Sequence, residues 1–373
     1  MAETMPGVDL NLVPAMKAPP GETSNLKDPY NSDRFMYLTA GICLGFSTFA
    51  VFFRLFVKAR ILRAMQLEEA ILIFSLAGLV SLTAVMIKST LIGQGVHQWN
   101  VSMAHVMKIT EYSNIIEILY CPTILSAKVA ILLQIKRIFV VNKKGILFWL
   151  HEIVLWLNIP TYTGLMFSFI FTCVPREKIW NPSVPGHCGS LPASLITTSV
   201  LNLMSDMTIL LLPMAVIMQL QLPTRSKMIL MAIFGTGILS IVSSILRMIY
   251  TIRLIQTEDF SWAIMPVGLW AIAEVTSVIL AGAIPLLPGF VKFVRNGNDS
   301  SGARSGSRWG PNYGKGSKAQ PFHSKPSTFV QGRYYPMDSE TETIINSDAL
   351  KDGDAVPLGI MKTVQVHAAY GRS

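Results

Sequence analysis

Seven separate apolar stretches, each long enough to cross a lipid bilayer, decide what this chain can fold into. A hydrocarbon core of about 30 Å takes about 20 residues of helix at 1.5 Å per residue. Stretches of that kind run at about 35–57, 70–89, 108–135, 146–172, 193–218, 228–251 and 263–290. Helices are the only structure that suits them: a lone span in lipid must bond its own backbone groups, and the short, turn-punctuated alternation of a membrane barrel is absent. The expected fold is an all-α membrane protein, a seven-transmembrane-helix bundle. Composition agrees, since 51% of the residues are hydrophobic and 14% charged, where a soluble domain carries roughly 25% charged residues.

The charges left over sit between and beyond the spans. The net charge of +9 is therefore read as attraction to anionic lipid heads and not as a nucleic-acid signal. Loops one, three and five with the start of the tail hold eleven basic residues, among them Lys136, Arg137, Lys143 and Lys144, against eight on the opposite side. The denser side is expected to face the cytosol, which places the N-terminus outside and the C-terminus inside. The chain then divides into a disordered extracellular arm at 1–34, the bundle at 35–292 and a basic, Ser/Gly-rich cytosolic tail at 293–373 expected to be disordered. The arm carries Pro6, Pro14, Pro19, Pro20 and Pro29 and no apolar core, so no cleavable signal is read and the first helix serves for targeting. A multi-pass protein of the plasma membrane or an endomembrane is expected, with the lipid bilayer as its first partner.

Ionisable side chains inside spans are expensive, at least about 2.5 kcal/mol each at mid-membrane, and so mark places of interest. Helix three presents Glu111, Asn114, Glu117, Cys121 and Lys128 on one face, helix five Ser199, Asn202 and Asp206, helix six Ser240, Ser244 and Arg247, and helix seven Trp270, Glu274 and Ser277. Glu117, Asn202, Asp206, Arg247, Trp270 and Glu274 are expected to converge on one outward-facing site. Two readings stay open for them: a ligand or proton-handling site in which a buried acid pairs with Arg247, or hydrogen bonds and ion pairs that lock the helices together. Lys128, deeper in the span, is expected to snorkel toward the cytosol. No catalytic residue, metal site or cofactor is assigned.

Four cysteines are too few for a disulfide framework. Cys173 and Cys188 flank a short loop on the expected outer, oxidising side, where a disulfide between them is expected; Cys43 and Cys121 lie within helices as small fillers. In loop two, Gly93 and Gly95 permit a tight turn, His97 is a pH sensor or a structural cap, and Trp99 suits the interface. Asn100 opens a glycosylation sequon with Ser102. Gly41 and Gly45 would allow close packing of helix one. Helix seven has no lysine between residues 262 and 291, which leaves a retinal Schiff base no attachment point there, and no Walker loop, paired His ligands or Ser/His/Asp set is visible.

The order of these features resembles the fungal rhodopsin-domain family, the seven-helix proteins of the satratoxin-cluster and Pth-eleven-like type. The residues that carry it are Arg54, then Gly93, Gly95 and His97, then Lys128 with Arg137-Ile138-Phe139. They continue through Cys173, Pro175, Trp180, Gly186, Cys188, Asn202, Asp206, Leu212-Pro213, Leu220-Gln221-Leu222-Pro223 with Arg225 and Lys227, and end with Arg247, Trp270, Glu274 and Pro285. One departure is Glu68-Glu69-Ala70, where the family often has Asp-Asp-Trp; the charge is kept and the aromatic anchor lost. The resemblance implies no retinal and no settled activity. Two functions follow as expectations. One is a receptor-like protein that binds a small or lipophilic molecule within the bundle and signals to a cytosolic partner through its loops and tail; it lacks an acid before Arg137 and an Asn-Pro-x-x-Tyr element in helix seven. The alternative is a membrane-embedded enzyme, such as a cyclase using Glu117, Asp206 or Glu274 as acid, or an auxiliary component of a fungal secondary-metabolite pathway.

Overall fold

A computed structural model describes residues 9–27, 29–62, 65–139, 145–218 and 224–283. Within them the chain forms α1 (Asp33–Phe56), α2 (Leu67–Ile92), α3 (Met103–Phe139), α4 (Ile146–Ile170), α5 (Leu191–Met218), α6 (Thr224–Gln256) and α7 (Phe260–Ala283). Each contains a segment long and apolar enough to span a membrane. Residues 293–373, Arg63, Lys143, Lys144, residues 220–223 and Pro285 lie outside the described residues.

Two helices form the centre. In α7, 67% of the spanning segment is buried and in α3 61%, against 33–39% in the other five, so α3 and α7 make the axis around which the rest pack. α7 lies against α1, α2, α3 and α6, while α3 lies against α2, α4, α5 and α7. The polar stripes read from the sequence belong largely to this axis and to α5 and α6. The outer surface is what lipid requires: Phe49, Phe52, Trp149 and Trp156 point away from the protein, a pattern that would be a liability in water.

Close helix approach occurs elsewhere than expected. A Cβ added at Gly41 or Gly45 would meet nothing within 4 Å, because both face away from the bundle. One glycine that lets two helices meet is Gly78 of α2, whose added Cβ would collide with the Thr123 side chain of α3. Spacing places two glycines on one face; it does not say which face meets a neighbour.

The end of the bundle that holds the N-terminus is covered. The arm, expected to be disordered, is ordered where it is described. Ala15 N–H donates to the Val101 carbonyl at 2.9 Å, Met103 N–H to that of Val13 at 3.0 Å and Ser32 N–H to that of Gly95 at 3.2 Å. Loop two supplies this platform because Gly93 and Gly95 adopt φ of 126° and 90°, a turn that L side chains resist. Beside it, β1 (Cys173–Val174) pairs antiparallel with β2 (His187–Cys188), and the Cys173–Cys188 disulfide closes the loop between α4 and α5. Cys43 and Cys121 are buried and free.

Candidate functional site

The charges of the inner helices meet in one connected network. Lys128 of α3 places Nζ 2.7 Å from Asp206 Oδ1 of α5 and donates to Tyr162 Oη of α4 at 2.7 Å and to Asn202 Oδ1 at 2.8 Å. The Tyr162 hydroxyl in turn donates to Asn202 Oδ1 at 2.6 Å. On the other side of Asp206 stand Ser240 at 3.3 Å and Ser244, whose hydroxyl lies between Asp206 and Glu274 and is 2.9 Å from Glu274 Oε1. Asn202 Nδ2 also donates to Glu274 Oε1. Glu274 Oε2 then faces Arg247 Nε at 3.0 Å, and the Arg247 guanidinium lies over the Tyr120 ring, 4.5 Å from its centroid.

Helical period explains the assembly. Asn202 and Asp206 are one turn apart on α5, as are Ser240 and Ser244 on α6, so each helix delivers two polar groups to one level. Two cations and two carboxylates balance, which lets lysine and arginine stay in a low-dielectric interior where a lone charge would be prohibitive. Some polar capacity is unspent. Arg247 Nη2 and Tyr120 Oη are buried without a hydrogen-bond partner, and Glu117, within electrostatic reach of Arg247 and Glu274, makes no ion pair or hydrogen bond among the described residues.

The sequence-predicted site residues thus divide. Asn202, Asp206, Arg247 and Glu274 come together, Glu117 borders them, and Trp270 does not join: it lines a separate groove on α7 with Trp262, Pro266 and Leu269. The expectation that Lys128 snorkels is overturned, since its side chain is 1% exposed and ion-paired with Asp206; an acid at the matching level of α5 holds it inside. Tyr162 and Tyr120 were not foreseen. A buried tyrosine usually finds a partner for its hydroxyl; Tyr162, fully buried, does so with Lys128 and Asn202, whereas Tyr120 meets Arg247 through its ring.

A second charge cluster closes the other end of the bundle. Arg54 of α1 donates to Glu68 and Glu69 of α2 at 3.2 and 3.0 Å, to Gln134 of α3 at 2.6 Å and to the Gly282 carbonyl of α7. Lys58 lies 3.1 Å from Glu69 and Arg137 3.2 Å from Glu68. The Glu68-Glu69 pair is thereby the counter-charge for three basic side chains at the ends of two helices, and Glu69 also accepts from the Gln66 N–H at 2.8 Å to cap α2. At the opposite end, His97 stacks between Trp99 and Trp262 with ring centroids 4.3 and 4.1 Å away and holds Asp259 at 2.6 Å. Asn100 accepts from the Asn25 N–H at 2.9 Å, so the sequon is engaged by the arm, and its Ser102 is buried. Among the described residues no group of three His, Cys, Asp or Glu side chains is placed to hold a metal ion.

Bundle and network define a multi-pass membrane protein whose polar interior is shared by five helices. Residues 53–292 match the fungal rhodopsin domain, and the chain belongs to that family. It is 27% identical over 363 residues to fugralins biosynthesis cluster protein 2 of Gibberella zeae, covering 94% of this chain and 85% of that protein. It is 30% identical over 262 residues to a SAT4 family membrane protein of Emericella nidulans, covering 70% and 65% of the two chains. With wortmanamides biosynthesis cluster protein C of Talaromyces wortmannii it shares 25% identity over 179 residues, 47% of each chain. No solved structure matches the chain.

Proposed function

We propose that this protein is a receptor-like membrane component that binds a small or lipophilic molecule within its bundle and changes state by re-pairing the charges of its core. The observation that carries this reading is the position of Arg247. It faces Glu274 at 3.0 Å, has an unpartnered Nη2 and feels a second carboxylate, Glu117, that has no partner of its own among the described residues. Three acids for two bases give the guanidinium two alternative seats, on α7 or on α3, and an element with two arrangements is what a switch requires. A ligand that favours one seat moves α6 relative to α3, and the basic loops at the far end would pass that motion to a cytosolic partner.

The enzyme alternative draws on the names of the relatives, two of which are biosynthesis cluster proteins. Against acid catalysis at Asp206 stands the space available. The cavity that touches Lys128 and Asp206 is only about 30 Å³, room for one water and not for a polyene or epoxide. A role beside a secondary-metabolite pathway, as sensor or auxiliary component, remains consistent with the network.

The test uses the full-length protein in nanodiscs with lipophilic metabolite fractions of its host, read by hydrogen exchange at the ends of α3 and α6. Exchange should change with at least one fraction, and Glu117→Gln should abolish the response while leaving the resting protein folded. If no fraction changes exchange and deletion of the gene makes a pathway precursor accumulate, the switch reading falls and the enzyme reading replaces it.

A further inference from the structure

A recess walled by four aromatic side chains lies outside the charge network. It is a groove of about 390 Å³ on the flank of α7, bounded by α1 and α6 and lined by Phe35, Tyr250, Trp262, Pro266, Leu269 and Trp270 among others. Its volume is within the roughly 300–1,000 Å³ usual for small-molecule pockets. α1 and α6 both pack on α7, and the groove lies between Phe35 and Thr39 of α1 and Tyr250 of α6. Phe35 on its rim is 61% exposed on a helix apolar enough to span a membrane, so lipid is a medium from which the groove can be filled.

Three properties of the wall specify an occupant. No charged side chain lines it, which excludes an ionic ligand, since a charge there would be unpaired in hydrocarbon. Its aromatic faces suit a flat, rigid, apolar outline. And the indole N–H groups of Trp262 and Trp270 donate to no acceptor among the described residues. Trp262 stands near the start of α7, where lipid ester carbonyls can serve it. Trp270 is eight residues further along the same helix, about 12 Å deeper, where acyl chains offer no acceptor.

We infer that this groove binds a neutral, flat lipophile that carries a carbonyl-type acceptor oxygen within its apolar outline, taken up laterally from the bilayer and held by the Trp270 indole N–H. The inference rests on the switch reading above and supplies its ligand class. Trp270 is one turn from Glu274 on α7, and Tyr250 is three residues from Arg247 on α6, so the two helices that wall the groove are the two that carry the ion pair the switch requires to move.

The experiment uses the full-length protein in phosphatidylcholine nanodiscs, with benzophenone as both ligand and photolabel and cross-links mapped by mass spectrometry. Cross-links should concentrate at Tyr250 and within 262–273. Fluorenone should compete about fivefold better than fluorene, which has the same outline without the oxygen, the ratio that one net hydrogen bond of about 1 kcal/mol gives. Trp270→Phe, which keeps an aromatic ring, though a smaller one, and removes the donor, should erase that ratio while the Cys173–Cys188 disulfide stays as it was and the protein stays folded. Labelling spread evenly over the lipid-facing residues of all seven helices, or equal competition by fluorene, overturns the inference. Hydrogen exchange in the same samples separates the two readings: groove labelling without a response at α6 keeps the groove and removes the switch, whereas a response to another lipophile with no groove labelling does the reverse.

Discussion

Lys128 of α3 and Asp206 of α5 meet at 2.7 Å with side chains 1% and 4% exposed, and through Asn202, Tyr162 and Ser244 this one pair ties four helices together. Burying two charges gains little net stability, but removing one of them strands the other at a cost of about 3–5 kcal/mol. Lys128→Met and Asp206→Leu should therefore each lower the melting temperature sharply in detergent, while the double variant recovers most of the loss. Singles that melt like the parent would show that the pair does not form.

Arg54 and Arg137 address the same acid with different consequences. Arg54 is 1% exposed and bonds four partners on three helices, whereas the Arg137 side chain is 47% exposed and reaches Glu68 alone. An exposed pair is worth about 0–1 kcal/mol, so Arg137→Gln should leave thermal stability nearly unchanged. Arg54→Gln should abolish most folded protein on size exclusion, and Arg54→Lys should rescue it poorly, because an ammonium cannot span the fork of acceptors.

The spans were legible because length and apolarity alone settle them, and the meeting of Asp206, Arg247 and Glu274 followed from residues one turn apart on each helix. What was not legible is relative rotation and level. Trp270 shares a helix face with Glu274 within about 40° by the helical period, yet it looks toward α1 and the groove while Glu274 looks inward. Lys128 was placed with the cytosolic ends because nothing local to α3 reveals that Asp206 of α5 stands at its level. Tyr162 of α4 acquires meaning only once Lys128 and Asn202 are beside it.

Cys173 and Cys188 are 15 residues apart, and closing a loop of that length restricts the unfolded chain by about 3 kcal/mol on the entropy account. Cys173→Ser with Cys188→Ser should lower the melting temperature accordingly. The bond also reports orientation. With the N-terminus on the non-cytosolic side, a membrane-impermeant reductant should leave the disulfide intact in sealed vesicles whose cytosolic face is outward and reach it once they are opened by detergent; thiols freed in the sealed vesicles would mean that the orientation is the reverse.

Gly78 and Gly41 make a paired test of which helix face is packed. An added methyl at Gly78 collides with Thr123 Oγ1, Cβ and Cγ2 of α3, and overpacking of a tight contact costs about 1–3 kcal/mol. Gly41 meets nothing within 4 Å, and a substitution on an open surface shifts stability by about 0.5 kcal/mol or less. Gly78→Ala should thus lower the melting temperature in detergent while Gly41→Ala leaves it in place. Thr123→Ala should restore part of the loss in the Gly78→Ala background, because it removes the nearest of the colliding atoms while retaining the Cβ. Equal tolerance of alanine at both glycines would mean that α2 and α3 do not approach as closely as this packing requires.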